Sequence, residues 1–125
     1  MTTATEPTDA EIAGVLEKAA AHLERVGLNK GYLYSENEAD KGTPLVDCPV
    51  CAWGAIYYAV HGEPRWSSIG TDADFQLAQA AGSAVVAHLH AQTLVNWSAA
   101  KGRQKRQVAK ALRDTATALR AGVAA

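Results

Sequence analysis

Residues 8–27 read TDAEIAGVLEKAAAHLERVG, and their spacing is that of an amphipathic helix. Thr8 is followed three residues later by Glu11, the pattern of a capping box at a helix start. Apolar side chains then recur at intervals of three and four residues and share one helical face: Ile12, Leu16, Ala19, Leu23 and Val26. Gly27 supplies the C-terminal stop. The spacing predicts a helix over residues 9–26.

Three further helices are predicted downstream. The second begins at Asp47, a favoured N-cap, and ends at the HGEP sequence of residues 61–64. The third opens at Thr71 and runs to Leu94; it is apolar on most sides, which is typical of a buried central helix. The fourth spans residues 103–120.

Residues 27–47 break the helical period and contain short strand-like groups around an acidic stretch. The sequence therefore predicts an all-α fold: a four-helix single domain over residues 9–121, with a short irregular or two-stranded insertion between helices 1 and 2. We expect residues 1–8 and 122–125 to be flexible ends.

The composition is that of an ordinary globular protein, with 125 residues, 48% of them hydrophobic and 20% charged. Its apolar runs are too short to cross a bilayer, so we expect no membrane association. Two cysteines and the lack of an export signal favour the reducing cytoplasm. The net charge of −1 hides an asymmetry: residues 1–75 carry twelve acids and five bases, and residues 76–125 carry one acid and seven bases.

Cys48 and Cys51 form a Cys-x-x-Cys pair at the predicted start of the second helix. At a helix N-terminus, the helix dipole and the unpaired backbone amides lower the pKa of a thiol, and a lowered pKa suits a redox or catalytic cysteine. The carboxylate of Asp47 disfavours a negatively charged thiolate beside it, and no βαβ pattern precedes the cysteine pair. The main interpretation is structural; redox and metal-binding roles stay open as alternatives. His88 and His90 do not have zinc-finger spacing, so we expect no metal site and no cofactor.

Four cations fall on one stripe of the predicted last helix, opposite its apolar seam: Arg103, Arg106, Lys110 and Arg113. Such a stripe is either a solvated face or a surface for an acidic protein or a phosphate backbone. It carries no side chain suited to reading bases, and the sequence pI is about 6.4. These residues are therefore predicted to bind a protein partner in preference to nucleic acid. The acidic segment 36–47 is the second candidate surface.

Trp53, Tyr57, Tyr58 and Trp97 are candidate pocket-lining residues, because aromatic rings with polar atoms suit the boundary between core and solvent. Core packing is the competing interpretation. The sequence has no nucleophile elbow, phosphate-binding glycine loop or HExxH motif.

The motif Cys51-Ala52-Trp53-Gly54-Ala55-Ile56 resembles the C-x-x-G-A-I helix start of a small uncharacterised family of actinobacteria and their phages. The similarity extends over about residues 11–119 through Trp97, Gly102-Arg103 and the V-x3-L-R of Val108 and Leu112-Arg113. Ser98, Ala99 and Gln104 depart from the Asn-Asp and Thr of that pattern. The resemblance implies an all-helical cytoplasmic protein and no established activity.

Together these patterns favour a small non-enzymatic helical protein that acts through protein–protein contact, as an actinobacterial or phage accessory factor. A thiol-dependent protein that uses Cys48 and Cys51 is the alternative. Weak nucleic-acid binding through the last helix is the third hypothesis, and homo-oligomerisation stays open.

Overall fold

The computed structural model describes residues 6–65 and 72–122, and their regular structure is helical. The six α-helices are α1 (Asp9–Val26), α2 (Glu36–Asp40), α3 (Ala52–His61), α4 (Asp72–Leu89), α5 (Leu94–Ala99) and α6 (Lys105–Arg120). A single 3-10 turn covers Leu45–Asp47. The all-α class is as predicted, whereas the described ranges contain six helices rather than four. Thr71 and most of the predicted flexible ends lie outside the described residues.

Helix α1 is the centre of the fold. Its predicted bounds and capping box are confirmed: the Thr8 hydroxyl accepts from the Glu11 N–H at 3.1 Å, and the Glu11 carboxylate accepts from the Thr8 N–H at 2.9 Å. The helix packs against α6, α3 and α4. Its buried face carries Ile12, Ala13, Val15, Leu16, Ala19, Ala20, His22 and Leu23. The prediction that the third helix, which is α4 in the structure, is central is therefore wrong, because α1 buries eight residues and α4 buries four.

Helix α4 also ends earlier than predicted. It stops at Leu89, and His90 adopts the left-handed conformation with φ of 53°. The chain then restarts as α5, where the Thr93 hydroxyl accepts from the Asn96 N–H at 3.0 Å. Apolar spacing continues across the break, which explains why the periodicity predicts one helix up to Leu94. Within the described ranges, no helix has the length and apolar character that a bilayer crossing requires.

Helix α3 begins at Ala52 rather than at Asp47, because the preceding residues make other backbone contacts. Val50 forms isolated bridges to both Leu28 and Tyr34. The Asn29 N–H donates to the Val50 carbonyl at 2.8 Å, and the Val50 N–H donates to the Gly27 carbonyl at 3.0 Å. These bonds replace the helical bonding that the sequence pattern predicts for residues 47–51.

The same strip continues to residue 35. The Cys51 N–H donates to the Leu33 carbonyl at 3.3 Å, and the Ser35 N–H donates to the Pro49 carbonyl at 2.9 Å. Four residues of segment 27–35, namely Gly27, Asn29, Leu33 and Ser35, are thus bonded to residues 49–51. We call this pairing the clamp.

Glycines allow the close packing around α3. A Cβ built on Gly54 would lie 1.9 Å from the Leu33 carbonyl oxygen and 3.1 Å from the Val50 Cβ. A Cβ on Gly82 of α4 would lie 2.2 Å from the Trp53 indole. Gly54 therefore lets the clamp reach α3, and Gly82 lets Trp53 lie flat between α3 and α4.

Gly54→Ala is expected to destabilise the protein, since the new methyl group overlaps a backbone carbonyl that cannot move without breaking the clamp. The matched control is Gly14→Ala in α1, where an added Cβ meets nothing within 4 Å. Alanine there should stabilise the helix by up to about 1 kcal/mol. Chemical denaturation of both variants measures the change in the free energy of unfolding, which should be a decrease for Gly54→Ala and an increase for Gly14→Ala. Equal changes in the same direction would contradict this account of Gly54.

Candidate functional site

Cys48 lies before α3 and is fully buried. Its Sγ donates to the Pro44 carbonyl at 3.4 Å and contacts the Thr43 carbonyl at 3.7 Å. Burial raises the pKa of the Cys48 thiol, and the carboxylates of Glu38 and Asp47 raise it further. The alternative of a thiol activated at a helix N-terminus is not favoured for Cys48, because α3 starts four residues later.

Cys51 is the N-cap of α3 and is also buried. Burial raises the pKa of its thiol, and the nearby amides of Gly54 and Trp53 offset only part of that rise. Both cysteines are free thiols. A raised pKa keeps both protonated near neutral pH, so the geometry favours the structural interpretation over nucleophilic chemistry. In the described ranges, no group of three or more His, Cys, Asp or Glu is placed to hold a metal.

The predicted basic stripe lies on the outer side of α6, but ion pairs neutralise part of it. Arg113 pairs with Glu24 of α1, and Lys110 pairs with Asp114 one turn further along α6. Arg120, at the end of α6, makes a two-pronged contact with Glu17 at 2.8 and 2.9 Å. That contact lowers the pKa of Glu17 through its hydrogen bonds. Arg113 and Arg120 thus connect α6 to α1, whereas the Lys110 pair lies within α6.

Arg103 does not belong to the stripe, because α6 starts after it. Its guanidinium lies 4.0 Å from the centre of the Trp97 ring, and its Nε donates to the Trp97 carbonyl at 2.9 Å. Arg106 does lie on the exposed face of α6, where its Nε donates to the Gln104 side chain at 3.1 Å. The helical-wheel placement is thus correct for Arg106, Lys110 and Arg113 and wrong for Arg103.

The four predicted pocket-lining aromatics have separate surroundings. Trp53 stacks on Tyr57, with ring centres 5.7 Å apart, and covers Gly82. Trp97 lies under Arg103. Tyr58 lines a shallow depression of about 220 Å³ together with Lys18, Ala21, His22 and Arg25. Tyr58 and Trp97 thus each have surroundings different from those of the stacked Trp53 and Tyr57.

His22 is a buried imidazole in the contact between α1 and α3. It is 4% exposed and stacks on Tyr58, with ring centres 3.6 Å apart. Arg25 lies 3.4 Å from Nδ1, while among the described residues Nε2 has no hydrogen-bond partner. Burial lowers the His22 pKa to about 4, and the Arg25 charge adds to that effect. His22 is therefore neutral in the folded protein at ordinary pH.

An apolar pocket of about 160 Å³ opens where the clamp meets α5. Its lining, which we call the pocket surface, consists of Gly31, Tyr32, Leu33, Cys51, Val95 and Ala99. Tyr32 and Val95 are 46% and 49% exposed, and with Phe75 they are the exposed large hydrophobic side chains of the described ranges. Two of those three thus border one opening, whose wall is held by the clamp.

Two cations contact the C-terminal end of α5, beside Ala99, and a third follows this end in the chain. The Lys30 Nζ donates to the Ala100 carbonyl at 2.9 Å, and the Arg103 Nε donates to the Trp97 carbonyl at 2.9 Å. Lys101 follows Ala100 in the chain and is exposed. We call Lys30, Lys101 and Arg103 the basic rim; positive charge is favourable at this end of a helix.

Ser98 and Ala99, which depart from the resembled pattern, both lie at this site. Ser98 is buried, and its hydroxyl accepts from the Ala52 N–H at 3.3 Å at the start of α3. Ala99 lines the pocket surface and leaves it open. Sequence reasoning missed Val95, Leu33 and Tyr32 as site residues. The local signal was the Tyr32-Leu33-Tyr34 group that follows Gly31, which the sequence analysis interpreted as strand-like.

A family model described as a family of unknown function, DUF6197, matches residues 7–118. The chain belongs to DUF6197. Comparison with curated proteins and with solved structures found no match. Function must therefore be inferred from the site itself.

Both thiols should react slowly with iodoacetamide in the native protein. The pH midpoint of the reaction should lie above 9.0, the ordinary pKa of a cysteine thiol. In guanidinium chloride both should react freely, which provides the control. Mass spectrometry after timed alkylation resolves the two positions. A native midpoint near about 6 at Cys48 would contradict the structural role and support the thiol-dependent alternative.

His22 should make folding stability depend on acidity. The unfolded chain takes up a proton near pH 6.5, whereas the folded chain does so only near pH 4. Stability contributed by the neutral ring is present above pH 6.5 and is lost as the pH falls to 4, by at most about 3 kcal/mol.

The measurement is the free energy of unfolding at several pH values for wild type and His22→Phe, which keeps an aromatic ring against Tyr58. The variant should lack this component between pH 6.5 and 4, and His90→Gln at an exposed position should retain it. Parallel pH curves for wild type and His22→Phe would rule out a buried neutral His22.

Proposed function

We propose that this protein is a non-enzymatic binding module that captures a polypeptide segment at the pocket surface. The supporting observation is the preformed apolar opening bordered by the exposed side chains of Tyr32 and Val95. Exposed apolar side chains grouped at one concave position favour a contact site over a purely solvated surface. Binding costs less when the receptor is already ordered, and the clamp orders this wall.

This proposal moves the contact surface away from the stripe on α6. Lys110 and Arg113 already have carboxylate partners within the chain, which reduces the charge available to another protein. Arg103 remains in the proposed surface as part of the basic rim. The thiol-dependent alternative is less well supported, because the pKa of Cys48 and that of Cys51 are both raised by burial.

We place this activity in the cytoplasm, as an accessory factor of an actinobacterium or of its phages. The motif resemblance supports that setting, as do two buried thiols that remain free.

Selection from a displayed random-peptide library tests the proposal with the intact protein as bait. Wild type should enrich specific peptides, and Val95→Glu should abolish their binding because it places a charge at the pocket mouth. Phe75→Glu is the matched control: it makes the same change at a comparably exposed apolar position on α4. Failure to enrich any peptide, or equal binding by both variants, would contradict the proposed function.

A further inference from the structure

The pocket surface continues across Tyr32 into a second depression of about 320 Å³. Gly31 and Tyr32 line both, so Tyr32 forms the ridge between them. The second depression is polar and is lined also by Asn29, Lys30, Tyr34, Ser35, Glu36 and Asn37. An extended segment lying over Tyr32 would therefore meet an apolar hole on one side and polar groups on the other.

The size of the apolar pocket limits what can enter it. An apolar cavity of roughly 150 Å³ holds one benzene ring, and this pocket measures about 160 Å³. A Phe or Leu side chain fits that space, whereas the indole of Trp exceeds it. Since the pocket is lined by apolar groups and a protonated thiol, a charged side chain would lose its hydration there without gaining a partner.

The charge around the pocket selects the neighbours of that side chain. Lys30 and Arg103 donate to carbonyls at the C-terminal end of α5, and the exposed Lys101 follows that end in the chain. Ala99, at the same end of α5, lines the apolar pocket, and Lys30 also lines the polar depression. Glu36 is the carboxylate of the polar depression, on the far side of Tyr32. The rim is therefore net positive next to the apolar hole, and complementary charge on a ligand favours both binding and orientation.

Building on the proposed function, we propose that the partner segment is an acidic peptide with one Phe- or Leu-sized anchor. The anchor side chain fills the apolar pocket and contacts the pocket surface. Carboxylates on the neighbouring residues of the peptide face the basic rim. No covalent step is involved. The occupant is thus defined by pocket volume and rim charge together.

The peptides selected by the intact protein provide the probe, measured as fluorescein conjugates by fluorescence polarisation. They should contain one Phe or Leu with an excess of Asp and Glu around it. Replacing the anchor by Ala should weaken binding at least about tenfold, because burial of such a side chain is lost. Replacing the anchor by Trp should also weaken binding. Salt should weaken the complex several-fold by screening the rim.

Lys101→Glu should weaken these peptides at least about fivefold, because it reverses a rim charge. Arg106→Glu is the matched charge reversal on the α6 stripe and should leave their affinity unchanged. Thermal unfolding and circular dichroism establish that both variants are folded.

The outcomes separate this inference from the proposed function. The selected peptides could require Val95 and yet show no excess of acidic residues, or bind Lys101→Glu as well as wild type. Either result would overturn the acidic partner but would still support the binding site. Sensitivity to Arg106→Glu instead of Lys101→Glu would place the acidic ligand on α6 and also overturn it. A dimer dissociated by Val95→Glu would put a second copy in the pocket, which contradicts a peptide occupant. If no peptide is enriched, the proposed function fails and this inference falls with it.

Discussion

The missing side chain of Gly54 is the constraint on which the site depends. The Leu33 carbonyl occupies the space that a Cβ would need, so the clamp can lie directly on α3. That contact holds Gly31, Tyr32 and Leu33 opposite α5, and the opening between them is the pocket surface. The absence of a side chain at Gly54 of α3 therefore lets a segment without regular structure form an ordered concave surface.

Two ion pairs balance part of the charge asymmetry within the molecule. The acidic first half and the basic last helix are complementary because α1 and α6 pack side by side, with Glu17 facing Arg120 and Glu24 facing Arg113. Exposed pairs of this kind contribute little stability individually. Their consequence for recognition is larger, since they leave the end of α5 as the place where unbalanced positive charge adjoins an apolar opening.

Local signals predicted what local interactions determine. The bounds of α1 follow from Thr8, Glu11 and Gly27, whose effects act within one helical turn. The start of α3 was mispredicted because Asp47 and Pro49 carry the local features of a helix N-terminus, while the bridges from Val50 to Leu28 and Tyr34 are tertiary contacts. The helical wheel placed Arg106, Lys110 and Arg113 correctly on α6 and Arg103 wrongly, and spacing within one helix cannot show that Glu24 lies across from Arg113. The pocket surface combines three separate segments, so sequence pattern alone did not indicate it.

Amide hydrogen exchange of the unmodified protein tests the central claim, that the clamp is a fixed wall of the site. The Val50 and Cys51 amides donate to the Gly27 and Leu33 carbonyls, so they should exchange as slowly as amides inside α3. Exchange as fast as that of the exposed Lys101 amide would show that the clamp opens freely, and would contradict a preformed pocket.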